Sequence, residues 1–132
     1  MIKGSCLCGR VRYSYEGDIN EVSMCHCSQC RKAQGTAFAA NSPLQSDKLT
    51  YDGTEFIKEF ACTGDKVRAF CSECGSPLYS AKASLPNIKR VRLGSVETPF
   101  TCPTHYHIYT DSTASWFEIS DGYKQFEQQK SD

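Results

Sequence analysis

The sequence predicts a mainly β protein with short helices, organised around metal-binding cysteine knuckles. Three observations predict it. Short segments of alternating apolar and polar residues recur between turn residues along the chain. Aromatic residues are abundant for 132 residues, with 7 Tyr, 7 Phe and 1 Trp, which suits the half-buried pleated surface of a sheet. The chain also carries nine cysteines, most of them in short, knuckle-like spacings.

The elements follow in order. Arg10-Val11-Arg12-Tyr13-Ser14-Tyr15 alternates, with Val11, Tyr13 and Tyr15 on one face, and reads as a half-buried strand ending in the Glu16-Gly17-Asp18 turn. Ser28 is predicted to cap a short helix over residues 29–34, with Gly35 as its C′ residue. Cys30 then lies in the first turn, where free N–H groups and the helix dipole favour a thiolate. Residues 36–40 read as a strand. Residues 49–51 and 54–61 flank Asp52-Gly53, a hairpin signal. Residues 67–70 lead into a cysteine knuckle and residues 77–79 lead out of it. Residues 91–93, 105–109 and 116–119 supply the remaining strands, and disorder is expected only from about Gln128 onward. With no repeat and no low-complexity linker, residues 1–132 read as one domain.

The cysteines are 6, 8, 25, 27, 30, 62, 71, 74 and 102. An odd number, with no apolar leader between Met1 and Cys6, argues against a secreted disulfide scaffold and for a cytoplasmic protein. Seven of the nine cluster as Cys6-Leu7-Cys8-Gly9, Cys25-His26-Cys27-Ser28-Gln29-Cys30 and Cys71-Ser72-Glu73-Cys74-Gly75. Gly9 and Gly75 supply the tight turns that let backbone N–H groups face sulfur. Four thiolates close a tetrahedral zinc site, whereas three leave a position open to water or substrate. The count therefore suggests one closed and one open site, two Zn²⁺ per chain. It does not by itself say which thiolates share an ion. Proximity in sequence favours Cys25, Cys27 and Cys30 for the open site, leaving Cys6, Cys8, Cys71 and Cys74 for the closed one. For the paired clusters the competing interpretation is a redox CxxC motif or buried free thiols, and for the triple cluster a second structural site completed by His26, Cys62 or another residue. Cys62 and Cys102 stand alone and read as small core or surface thiols.

Charge narrows the partners. Fifteen basic and fifteen acidic residues balance to zero, so no basic excess exists to neutralise a nucleic-acid backbone. Lys89-Arg90-Val91-Arg92 alternates and reads as a solvated strand face. No stretch has the length and apolarity of a membrane-spanning helix. Arg31 and Lys32, beside the open site, are candidates for attracting an anionic substrate, or simply a solvated helix face.

The ordered motifs Ser5-Cys6-Leu7-Cys8-Gly9, Cys25-His26-Cys27-Ser28-Gln29-Cys30-Arg31-Lys32 and Phe70-Cys71-Ser72-Glu73-Cys74-Gly75-Ser76-Pro77-Leu78-Tyr79 together resemble the glutathione-dependent formaldehyde-activating enzyme family, which includes centromere protein V. His107-Ile108-Tyr109 through Trp116 to Asp121-Gly122 looks like that family's C-terminal segment. The resemblance, from about Gly4 to Phe126, implies a zinc-containing fold of small coiled β-sheets. It implies the same partition of ligands: Cys6, Cys8, Cys71 and Cys74 on a structural zinc, Cys25, Cys27 and Cys30 on a catalytic zinc. It also implies carbon–sulfur lyase chemistry, in which formaldehyde and glutathione, or a related small aldehyde and thiol, interconvert with their adduct.

A three-thiolate zinc is a weak Lewis acid, better suited to holding a thiol than to making hydroxide. In the resulting expectation, Arg31 or Lys32 attracts the thiol's carboxylates and His26 relays a proton. His105 and His107 are the other titratable candidates. The alternatives are a non-catalytic zinc-stabilised binding module and a thiol-based sensor; a fourth protein ligand at the second site would favour the binding module.

Overall fold

The computed structural model of the chain describes residues 1–131. It is mainly β, as the sequence predicts. A three-stranded antiparallel sheet contains β1 (Ile2–Ser5), β2 (Arg12–Tyr15) and β5 (Leu49–Asp52), in the order β1-β2-β5. The larger sheet contains β3 (Glu21–Cys25), β4 (Ala39–Gln45), β6 (Ile57–Thr63), β7 (Lys66–Cys71), β8 (Pro77–Lys82), β9 (Ile88–Arg92), β10 (Thr104–Ile108) and β11 (Lys124–Gln125). Its strand order is β11-β10-β3-β4-β9-β8-β7-β6, antiparallel except that β10 runs parallel to both β3 and β11. One α-helix, α1 (Ser28–Gln34), joins β3 to β4. No helix among the described residues is long and apolar enough to cross a membrane.

The core forms where the two sheets meet. Val11, Tyr13 and Tyr15 are buried on the face that alternation assigns to them, against Leu78, Tyr79 and Val91 of the larger sheet. Burying a Leu or Val side chain contributes roughly 1.5–3 kcal/mol each. The strand itself is shorter than predicted, because Val11 belongs to the preceding knuckle, where its carbonyl accepts from the Cys6 N–H.

Four expectations are corrected. Residues 49–51 and 54–61 do not form a hairpin. β5 pairs with β2, and Tyr51 lies opposite Tyr13 with ring centroids 5.3 Å apart. The chain then turns through Gly53 and a short 3-10 segment, Thr54–Phe56, to reach β6 at the edge of the other sheet. Residues 36–38 form a turn in which the Thr36 hydroxyl donates to the Phe38 carbonyl, so β4 starts at Ala39 and continues through Pro43. Residues 116–119 are irregular: Phe117 packs on Phe38 and His26 while Trp116 is exposed. Residues 128–130 are held, since the Gln128 carbonyl accepts from Tyr109 N–H and Lys130 reaches Glu21.

Candidate metal centres and the cavity beside one of them

The structure gathers the seven clustered cysteines into two groups, one of Cys6, Cys8, Cys71 and Cys74 and one of Cys25, Cys27 and Cys30. Within each group all sulfur atoms lie within 4.8 Å of one another.

The four-cysteine group joins the loop between β1 and β2 to the turn between β7 and β8. Cys6 Sγ lies 3.6 Å from Cys8 Sγ, which lies 3.8 Å from Cys71 Sγ. Four sulfurs at about 2.3 Å around a tetrahedral zinc stand about 3.8 Å apart, so the donor set fits the ion in size and chemistry. Both knuckles turn at a glycine with left-handed backbone, Gly9 and Gly75. Backbone and hydroxyl groups already face the sulfurs. Val11 N–H donates to Cys6 Sγ, and Ser76 Oγ lies 3.2 Å from Cys74 Sγ while accepting from Leu7 N–H. Ser76 draws the Cys74 thiol down to about 5, whereas burial pushes Cys71 up to about 11.

The three-cysteine group is assembled by consecutive elements. Cys25 ends β3, pinned between Ala39 of β4 and Ile108 of β10. Cys27, rather than Ser28, is the N-cap of α1: its sulfur accepts from the Cys30 N–H at 3.4 Å. Gly35 closes the helix in left-handed geometry, as expected. Cys30 lies in the first turn and is buried. Hydrogen bonding to Cys27 and Cys30, together with burial, pushes the Cys25 thiol strongly up, while hydrogen bonds from Cys25 and Cys27 and from Arg68 hold Cys30 strongly down. Arg68 was not foreseen. Its side chain from β7 donates to Cys30 Sγ at 3.7 Å and to Cys62 Sγ at 3.5 Å. Among the described residues no fourth His, Cys, Asp or Glu joins this group.

A cavity of about 590 Å³ opens beside the three-cysteine group. Cys25, Cys27 and Cys30 line it, as do Lys66, Lys82, Arg90, Arg92 and Lys130, with Asp65 the single acid of the lining among the described residues. Arg92 is only 4% exposed. This corrects the reading of residues 89–92 as a solvated face: Lys89 lies over the Tyr51 and Tyr79 rings, Arg90 and Arg92 line the cavity, and Val91 is in the core. Arg31 and Lys32 lie on α1 but outside the cavity lining.

The other candidates take structural positions. His26 does not face solvent; it is fully buried, with Nε2 2.7 Å from His107 Nδ1. His107 Nε2 is 2.7 Å from Asp121 Oδ2. With the carboxylate accepting from His107 Nε2–H, His107 Nδ1 accepts from His26 Nε2–H. Burial, with His107 nearby, pulls His26 down to about 4. This chain braces the loop between Cys25 and Cys27. His105 stacks on Tyr123 at 4.7 Å. Cys62 and Cys102 belong to neither metal group.

Two cysteine clusters whose geometry could hold metal ions, one joining two knuckles and one facing a cavity, define a β-fold protein with two candidate metal–thiolate sites. The comparisons specify its family. A model of the glutathione-dependent formaldehyde-activating enzyme family matches residues 1–112, and the chain belongs to that family. An uncharacterized lyase of Schizosaccharomyces pombe is 30% identical over 79 residues, covering 60% of this chain and 56% of that protein. The chain thus matches a little over half the length of that relative. A crystal structure of a Rhodobacter sphaeroides protein superposes with a TM-score of 0.61 at 22% identity, covering 77% of this chain and 98% of the other, and so shares the fold.

Proposed function

We propose that this protein is a zinc-dependent carbon–sulfur lyase-type enzyme that interconverts a small aldehyde such as formaldehyde, a thiol such as glutathione, and their adduct. In this reading residues 1–132 act as one domain and bind two Zn²⁺. Cys6, Cys8, Cys71 and Cys74 hold the structural ion, and Cys25, Cys27 and Cys30 hold the catalytic one. The observation that carries the reading is the three-cysteine cluster, with no fourth protein donor among the described residues, set in the wall of a basic cavity.

Zinc bound there supplies a position that favours the thiolate form of an incoming thiol. The protein's own residues do the rest. Lys66, Arg90 and Arg92 attract the carboxylates of a thiol such as glutathione, in a cavity whose charge contrasts with the neutral chain. Arg31 and Lys32 add only long-range positive potential. Arg68 holds the Cys30 sulfur by a charge-assisted hydrogen bond, and the His26–His107–Asp121 chain fixes the loop that carries Cys25 and Cys27. Enclosure keeps thiol and carbonyl together, and such proximity is a large source of acceleration.

The test is exchange spectroscopy with ¹³C-formaldehyde and glutathione, measured against the uncatalysed buffer rate. The metal-loaded protein is expected to accelerate label exchange into the adduct. Exchange at the buffer rate, with both metal sites filled, would contradict an enzyme of this chemistry and leave the zinc-stabilised binding module.

A further inference from the structure

Tyr109 is the only non-glycine residue with positive φ among the described residues, at φ 55° and ψ 40°. An L-residue is crowded there by contact between Cβ and the carbonyl oxygen, and a bulky aromatic is a poor occupant. The surrounding chain holds it in place. Tyr109 N–H donates to the Gln128 carbonyl at 2.9 Å, and its own carbonyl accepts from Ser112 N–H at 3.0 Å. On either side, the Ile108 carbonyl accepts from His26 N–H and Thr110 N–H donates to the Phe126 carbonyl. This geometry ends β10 and turns the ring onto the cluster of Cys25, Cys27 and Cys30, where it lines the cavity. Among the described residues Tyr109 hydrogen-bonds through its backbone alone, whereas Tyr106, the other tyrosine of the cavity, spends its hydroxyl on Glu21 at 2.7 Å. Strained residues held by their surroundings concentrate at functional sites.

We propose that Tyr109 is a catalytic residue of the open cysteine site, its phenol hydroxyl donating a hydrogen bond to the aldehyde oxygen during carbon–sulfur bond formation. The inference rests on the thiol–aldehyde reading above. The thiol gives its proton to water as it becomes thiolate, the sulfur electron pair forms the C–S bond, the C=O π pair moves to oxygen, and that oxygen takes a proton back from water, so no net proton is gained or lost. Tyr109 keeps its own proton, and its donor is strongest where charge develops on oxygen. Cleavage of the adduct runs the same steps backward.

The exchange assay on the wild type and Tyr109→Phe tests this. The phenyl ring preserves packing and backbone while removing the donor. Loss of one such donor lowers rates by about 10²–10³, so a fall of about 100-fold is expected, with zinc content and glutathione affinity unchanged. Equal rates in the two proteins would overturn the role of Tyr109 and leave the proposed function standing. A wild type that does not exceed the buffer rate would overturn the proposed function and this inference with it. If the variant loses metal or fold, ¹³Cζ-tyrosine NMR of the wild type decides. A Tyr109 signal that shifts with a mixture of formaldehyde and glutathione, but not with glutathione alone, supports the contact; an unmoved signal refutes it.

Discussion

Arg68 is 9% exposed and places one guanidinium edge on two sulfurs, those of Cys30 and Cys62, while its Nη1 is buried without a partner. Burying a cation in this way is unfavourable unless anionic charge lies beside it. Cys30 as a thiolate provides that charge, and the guanidinium in turn withdraws electron density from the sulfur and fixes its direction. Hydrogen-bonding partners of metal ligands typically govern affinity by 10–100-fold. Arg68→Met is therefore expected to weaken metal binding at the three-cysteine site by about 10-fold or more, measured by competition with a chromogenic chelator. An affinity equal to wild type would show that Arg68 only fills space. The thiolates themselves were legible from their spacing. Arg68 was not, because it reaches Cys30 across 38 residues of sequence and no local pattern marks it. Arg92 was misread for a related reason: strand alternation gives two faces but does not say that both are covered.

At the scale of elements, the turn after β5 shows how tertiary contact overrides a local signal. Asp-Gly favours a two-residue hairpin. Here, however, the half-buried Tyr51 of β5 packs between Tyr13 and Tyr79, which fixes β5 beside β2. Gly53 serves another need. At φ 76° it passes so close to the chain that an added Cβ would lie 1.9 Å from the Arg10 carbonyl oxygen. Gly35 also has positive φ, at 71°, but has open space around its missing Cβ. Gly53→Ala is expected to destabilise the protein by about 3 kcal/mol or more, and Gly35→Ala by only about 1 kcal/mol, the first carrying steric overlap beyond backbone strain. Urea denaturation of the metal-loaded proteins measures both; equal losses would contradict the close approach at Gly53. The short helix was legible because Gly35 marks its end. Its N-cap was assigned one residue late because a cysteine sulfur, not the usual serine hydroxyl, accepts the free N–H.

For the whole molecule, the two cysteine groups sit differently in the fold. The four-cysteine group ties Cys8 to Cys71 across 63 residues and links the smaller sheet to the larger one. Binding energy at such a site is folding energy. The three-cysteine group lies within six residues, from the end of β3 to the first turn of α1, so the fold does not depend on it for long-range closure. The division into two groups was legible in spacing and count alone. The basic cavity was not, because a chain of zero net charge gives no hint that five cations collect around one cavity.

Native mass spectrometry of the wild type, Cys27→Ser and Cys71→Ser, each with and without glutathione, tests this division most directly. The account predicts two zinc ions and a glutathione adduct for the wild type. Cys27→Ser should stay folded with one zinc and no adduct, and Cys71→Ser should lose the compact charge-state envelope of the folded protein. A single zinc and no adduct in the zinc-supplemented wild type, or unfolding of Cys27→Ser, would contradict an open, substrate-binding site at Cys25, Cys27 and Cys30.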